Sequence, residues 1–106
     1  MEFLPDVVVT EVKDYVIFKP KTKEELQEAV NLWYKNKEET LKQCGHISNW
    51  DTSLITDMSD LFKHCINFND DISNWDVSYV TNMNNMFRLC EKFNQPLDKW
   101  NVSNVK

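Results

Sequence analysis

Cys44, His46, His64 and Cys65 are the residue types that hold zinc, two thiols and two imidazoles within 22 residues. A structural zinc site needs four such ligands around one ion. Here the C-x-H and H-C spacings are not the usual ones, and 25 residues beyond His64 stands Leu89. That exchange argues for His64 as a surface helix residue, so a metal-dependent enzyme is only a remote alternative. The three cysteines, Cys44, Cys65 and Cys90, do not all pair within one chain, and no C-x-x-C occurs. Asp51 and Asp76 could form a hydrolase's pair of carboxylates, but each sits in the same local string, whereas a catalytic pair needs two different surroundings. They read instead as turn residues bonding nearby amides. One glycine leaves no Gly-rich phosphate loop. Asn101-Val102-Ser103 fits a glycosylation sequon, yet it also fits the repeat described next. The expectation is no catalytic residue, no cofactor, no metal and no small-molecule substrate.

These residues are placed by a repeat. Laying residues 47–71 over 72–96 gives 12 identities in 25: Ile47/Ile72, Ser48/Ser73, Asn49/Asn74, Trp50/Trp75, Asp51/Asp76, Ser53/Ser78, Thr56/Thr81, Met58/Met83, Phe62/Phe87, Cys65/Cys90, Phe68/Phe93 and Asn69/Asn94. A third copy starts at Leu97 and keeps Trp100, Val102, Ser103 and Val105. A fixed period of this length marks a solenoid, whose units bury their apolar faces only against one another. The opening spacing I-x-x-W-x-V-x-x-V matches the leucine-rich skeleton, and its alternation suits a short strand. Met83, Met86, Phe87 and Cys90, three and four apart, suit about two turns of helix, with Thr81 or Asn82 as its cap. The predicted fold is α/β: a short leucine-rich-repeat-type solenoid, one strand and one short helix per 25-residue unit. Trp50, Trp75 and Trp100 should then stack, as should Phe62 with Phe87 and Phe68 with Phe93. Cys65 and Cys90 should be small buried residues of one ladder, with a disulfide between coils as the alternative.

The string I-S-N-W-D-V-S-Y-V-T-N-M-N-N-M-F-R-L-C-E-K-F-N-Q (residues 72–95) resembles the repeat of BspA-like leucine-rich repeat surface proteins. The resemblance spans residues 47–106, and the helical segment before His46 is similar to the lead-in of some members. It implies adhesion or protein interaction, in bacterial surface proteins, protists and large DNA viruses. The motif carries no catalytic residue. This chain departs from the family in showing no export signal and in the shortness of its array.

Residues 1–46 read as an N-terminal cap. Residues 7–12 and 15–18 are rich in β-branched and aromatic residues and predict two strands, paired as a hairpin or added to the edge of the solenoid sheet. Thr22-Lys23-Glu24-Glu25 is a capping box that starts a helix. Its apolar stripe is Leu26, Ala29, Val30, Trp33 and Tyr34. A shorter helix over 37–43 should end near Gly45, the sole glycine. Together these elements would cover the first face of the array, since the ends of solenoids need a polar outer surface. Residues 1–46 and 47–106 thus form one compact unit.

The chain of 106 residues fits one core, and 42% hydrophobic residues with four Trp and six Phe exclude disorder. Net charge is −5: residues 1–46 carry 7 basic and 9 acidic groups (−2), residues 47–106 carry 5 and 8 (−3). Neither half offers the basic stripe that phosphate backbones require, so no nucleic acid is expected. No apolar run reaches membrane-spanning length, and the N-terminus is not a signal peptide. A soluble, intracellular or virion-associated product is expected, or a surface one if a leader was removed.

The expected function is a non-catalytic protein-interaction or structural module presenting the solenoid surface. An adhesin fragment or a virion or cell-surface component is the alternative. Candidate interaction residues are those that vary between copies, Leu54, Tyr79 and Asn104 in one column and Lys63 and Arg88 in another. Trp100, Val102 and Val105 join them at the last, incomplete unit, whose open edge would pair with itself or with a partner supplying the missing half-unit.

Overall fold

A computed structural model describes residues 9–12 and 15–106 of the chain. Strands β1 (Val9–Val12) and β2 (Tyr15–Phe18) form an antiparallel pair with Val9 opposite Phe18 and Val12 opposite Tyr15. Of the two pairings open from the sequence, the hairpin is the one adopted. Residues 7, 8, 13 and 14 of the expected strands and their turn lie outside the described residues. Phe18 is buried edge-on against Trp50 at 5.1 Å, and its carbonyl accepts from the Asp51 amide at 2.9 Å. This joins the hairpin to the first repeat.

Helix α1 (Lys23–Lys35) begins at the capping box: the Thr22 hydroxyl accepts from the Glu25 amide at 3.2 Å. The Glu25 carboxylate reaches back to the Lys21 amide at 2.8 Å, one residue earlier than the usual reciprocal bond. Leu26, Ala29, Val30 and Trp33 are buried, whereas Tyr34, at the margin of the stripe, is exposed. Asn36 closes α1 through its amide and caps α2 (Lys37–Cys44) through its side chain, which accepts from the Glu39 amide. Gly45 ends α2 with φ 76°, a left-handed value open to a residue without Cβ.

The two 25-residue units lie one on the other. Trp50 and Trp75 are stacked at 6.4 Å and 17°, Phe62 and Phe87 at 5.5 Å and 4°, Phe68 and Phe93 at 5.6 Å and 4°. The Trp75 indole donates to Ile47 O at 2.8 Å and the Trp100 indole to Ile72 O at 3.0 Å, the same bond one period apart. Cys65 and Cys90 are free, buried thiols in successive rungs, with Cys90 Sγ donating to Cys65 O at 3.2 Å.

Within a unit the local structure differs from the expected strand and helix. After a single 3-10 turn (Ile47–Asn49), residues 50–106 hold consecutive turns and one parallel bridge, Asp57 with Asn82. The amides of Leu61, Lys63, Cys65 and Phe68 each bond the carbonyl three residues back, as do those of Met86, Arg88, Cys90 and Phe93. Asp60 and His64 have φ of 61° and 68°, and one period later Asn85 and Leu89 have 59° and 61°. Two left-handed residues in each unit, four apart, prevent a helix from propagating, so apolar spacings of three and four arise here from a chain of turns. His64 is exposed as expected, but in a turn. Asn82 accepts from the Asn84 amide, making a local turn where a helix cap was expected.

Candidate interaction surface

The residues of chemical type are used inside the array. Asp51 Oδ1 accepts from the Ser53 amide and Asp76 Oδ1 from the Ser78 amide, both at 3.0 Å, and Asn101 Oδ1 from the Ser103 amide at 3.1 Å. Asp57 and Asp71 make the same bond to Ser59 and Ser73. The Ser78 hydroxyl and amide hold the Asp76 carboxyl below the usual carboxylate range, and the Ser59 amide and hydroxyl do so for Asp57. These carboxylates act as turn acceptors, each bonded to the amide of a serine two residues on.

The thiols and imidazoles do not converge. His46 packs edge-on against Trp33 at 5.0 Å and its Nδ1 lies 2.8 Å from the Ser48 hydroxyl. Burial pushes the Cys44 thiol up to about 12, and burial, then the neighbouring Cys65, pushes Cys90 up to about 11. Such thiols stay protonated at neutral pH. Among the described residues no group of three or more His, Cys, Asp or Glu is placed to hold a metal ion. Nor does any described helix have the length and apolarity to cross a membrane.

Among the residues that vary between copies, Leu54 and Tyr79 face outward. Leu54 is 48% exposed and Tyr79 63%. The Thr52 hydroxyl bonds Asp76 O at 3.0 Å and the Thr81 amide bonds Thr56 O at 2.8 Å, so Leu54 and Tyr79 are neighbours on adjacent rungs. Asn104 extends the column, its side-chain amide donating to Ser78 O at 2.7 Å. Lys63 and Arg88 are adjacent in a second column, flanked by the Phe62-to-Met86 and His64-to-Arg88 backbone bonds at 2.8 and 2.9 Å. Lys63 also lies 4.0 Å from Asp60. Of the last rung, Val102 is exposed, Val105 half-buried, and Trp100 half-buried against Phe87 at 6.4 Å. The eight residues thus form two lateral columns and one terminal rung, not one patch.

The opposite end is covered by α1. Gln27 donates to Leu61 O at 2.9 Å, Lys23 to the Ser59 hydroxyl at 3.0 Å, and the Trp33 indole to Asp70 Oδ2 at 2.8 Å. Lys37 lies 3.3 Å from the same carboxylate oxygen and 5.0 Å over the Trp33 ring, and Tyr34 Oη accepts from the Asn67 amide. A cleft of about 190 Å³ opens here, lined by Trp33, Tyr34, Lys37, Asn67, Phe68 and Asp70. Sequence reasoning missed this junction. Its signal was Asp70 itself, which breaks the repeat by standing where Gln95 stands one period on.

The family model described as "Mycoplasma protein of unknown function, DUF285" matches residues 25–106, a span that takes in α1 from its third residue, α2 and every repeat. The chain belongs to this family, which is related to BspA-like repeat proteins. No curated protein and no solved structure matches the chain.

Proposed function

We propose that the protein is a non-catalytic protein-interaction module, a short leucine-rich-type solenoid of the BspA-like kind whose coils are built from turns. One observation carries the reading. The shared tryptophans, phenylalanines and cysteines are consumed in stacking inside the array, whereas Leu54 and Tyr79, at one position of successive rungs, differ and are exposed. An exposed apolar column on a polar array is the form a protein-binding strip takes. A net charge of −5 favours a protein partner over a phosphate backbone.

A photo-crosslinking residue placed at Tyr79, with one at Lys42 on α2 as the control, tests this in extracts of the native source. The reading expects a discrete protein adduct at Tyr79 and none at Lys42. Equal or absent labelling at the two positions would remove it.

A further inference from the structure

The cleft between α1 and the first repeat already holds a cation, the chain's own Lys37. Trp33, Tyr34 and Phe68 give it aromatic walls, and Asp70 gives it a carboxylate. Trp33 meets His46 and Trp50 edge-on and carries the Lys37 ammonium 5.0 Å over its ring. A cation above an aromatic face and beside a carboxylate is attracted by both, through the ring's quadrupole and the opposite charge. Lys37 nevertheless fits this seat loosely. Its Nζ lies 3.3 Å from Asp70 Oδ2 and 3.4 Å from Oδ1, one nitrogen straddling two oxygens with neither bond short. Its side chain is 56% exposed, and exposed ion pairs hold weakly. Asp70 is fixed by comparison, with Oδ2 accepting from the Trp33 indole at 2.8 Å.

We propose that this cleft binds an arginine side chain presented by another protein, with Lys37 as the placeholder that the arginine displaces. A guanidinium is a planar fork of N–H donors, so it sets one nitrogen on each carboxylate oxygen where a single ammonium straddles both. The carboxylate has the capacity. Its two oxygens offer about four acceptor positions, and with Lys37 gone the indole takes one of them. The flat cation also stacks on aromatic rings, which a compact, strongly hydrated ammonium does less well. Tyr34 lines the cleft, is 41% exposed, and is held through its hydroxyl by the Asn67 amide at 3.2 Å.

Size and charge narrow the occupant. At about 190 Å³ the cleft is smaller than the roughly 300–1,000 Å³ that drug-sized ligands fill, and it suits one side chain. An anion would have to sit against Asp70, which the indole holds in place, whereas a cation needs only the exposed Lys37 to swing away. A partner's lysine would exchange like for like and gain nothing. The cleft belongs to the first unit alone, since one period on Asn67 and Asp70 are replaced by Lys92 and Gln95, which supply no carboxylate. It shares no residue with the Leu54 and Tyr79 column and does not rest on the reading of that column.

The probe is the end-blocked tripeptide Gly-Arg-Gly, titrated at constant ionic strength into the isotopically labelled chain while NMR follows the Trp33 indole and the Asn67 amide. Saturable shifts of both signals are expected, with a Kd on the order of 1–10 mM for a lone side chain and Gly-Lys-Gly at least about fivefold weaker. Lys37→Gln should tighten the arginine peptide at least about threefold, because the seat is no longer filled. Lys35→Gln, the same charge change outside the cleft lining, should not. Asp70→Asn keeps an acceptor for the indole and should abolish binding. The proposal is overturned by the absence of saturable shifts in both the native chain and Lys37→Gln, by equal binding of the lysine peptide, or by binding that survives Asp70→Asn. Equal tightening by Lys35→Gln would also overturn it, as would stronger shifts with Gly-Glu-Gly, which would assign the cleft to an anion. Crosslinking at Tyr79 reads a different surface, so the two results stand or fall separately.

Discussion

The first and second repeats share 12 of 25 residues and lie in different surroundings. Met58, Phe62 and Phe68 are buried, yet Met83, Phe87 and Phe93 are only half-buried. Residue type is identical at each pair, as are the turn bonds and the signs of φ. The difference comes from what lies on either side. The first unit has α1 on one face and the second unit on the other, whereas the second unit has a full neighbour on one face only. Burial in this chain is a nearest-neighbour property, as expected of stacked repeats.

The comparison is broken most severely at the phenylalanines. Phe62→Ala should destabilise by about 3–5 kcal/mol, the cost of a large cavity, and Phe87→Ala by roughly half of that, since its ring is already partly in water. Urea unfolding of both variants checks this, and equal losses would show that the units share one environment. The cap comes next. Trp33→Phe removes the bond to Asp70 and part of a buried ring, and should cost about 2–3 kcal/mol. Asp70→Asn should lose less, because a neutral amide oxygen still accepts from the indole.

Thr52 gives a finer test. It is fully buried and donates to Asp76 O, while Val77 occupies the equivalent buried place in the second unit. Thr52→Val should cost about 1 kcal/mol in thermal unfolding through the orphaned carbonyl. Val77→Thr, facing the last rung, should be closer to neutral.

The smallest effect is in acid. The folded protein holds the Asp76 and Asp57 carboxyls below their ordinary values, so both groups contribute stability above pH about 4, and it is lost as pH falls through the lowered values. Asp76→Asn should flatten part of the stability decline between about pH 5 and pH 3, because Asn accepts the serine amide without titrating, as Asn101 does in the third copy.

Much of this was legible in the sequence because a period leaves the same mark at every turn of the chain. The tryptophan, phenylalanine and cysteine columns, the capping box at Thr22 and the helix end at Gly45 lie where spacing and turn chemistry place them. The path inside each unit was not legible. Apolar residues three and four apart are compatible with a helix and with successive turns, and left-handed His64 and Leu89 are not residues that announce such a backbone. The Trp33–Asp70–Lys37 junction was hidden because it joins residues more than thirty apart, outside any repeat. At the surface, Leu54, Tyr79, Lys63 and Arg88 were found by their variation between copies. Which columns they form depends on the rungs' register, which only the backbone bonds reveal.

Amide hydrogen exchange on the chain alone tests the asymmetry of the two repeats most directly. The amides of Met58, Asp60, Phe62 and His64 should exchange only through global unfolding, and those of Met83, Asn85, Phe87 and Leu89 faster by orders of magnitude. Equal protection along the two strips would contradict the account.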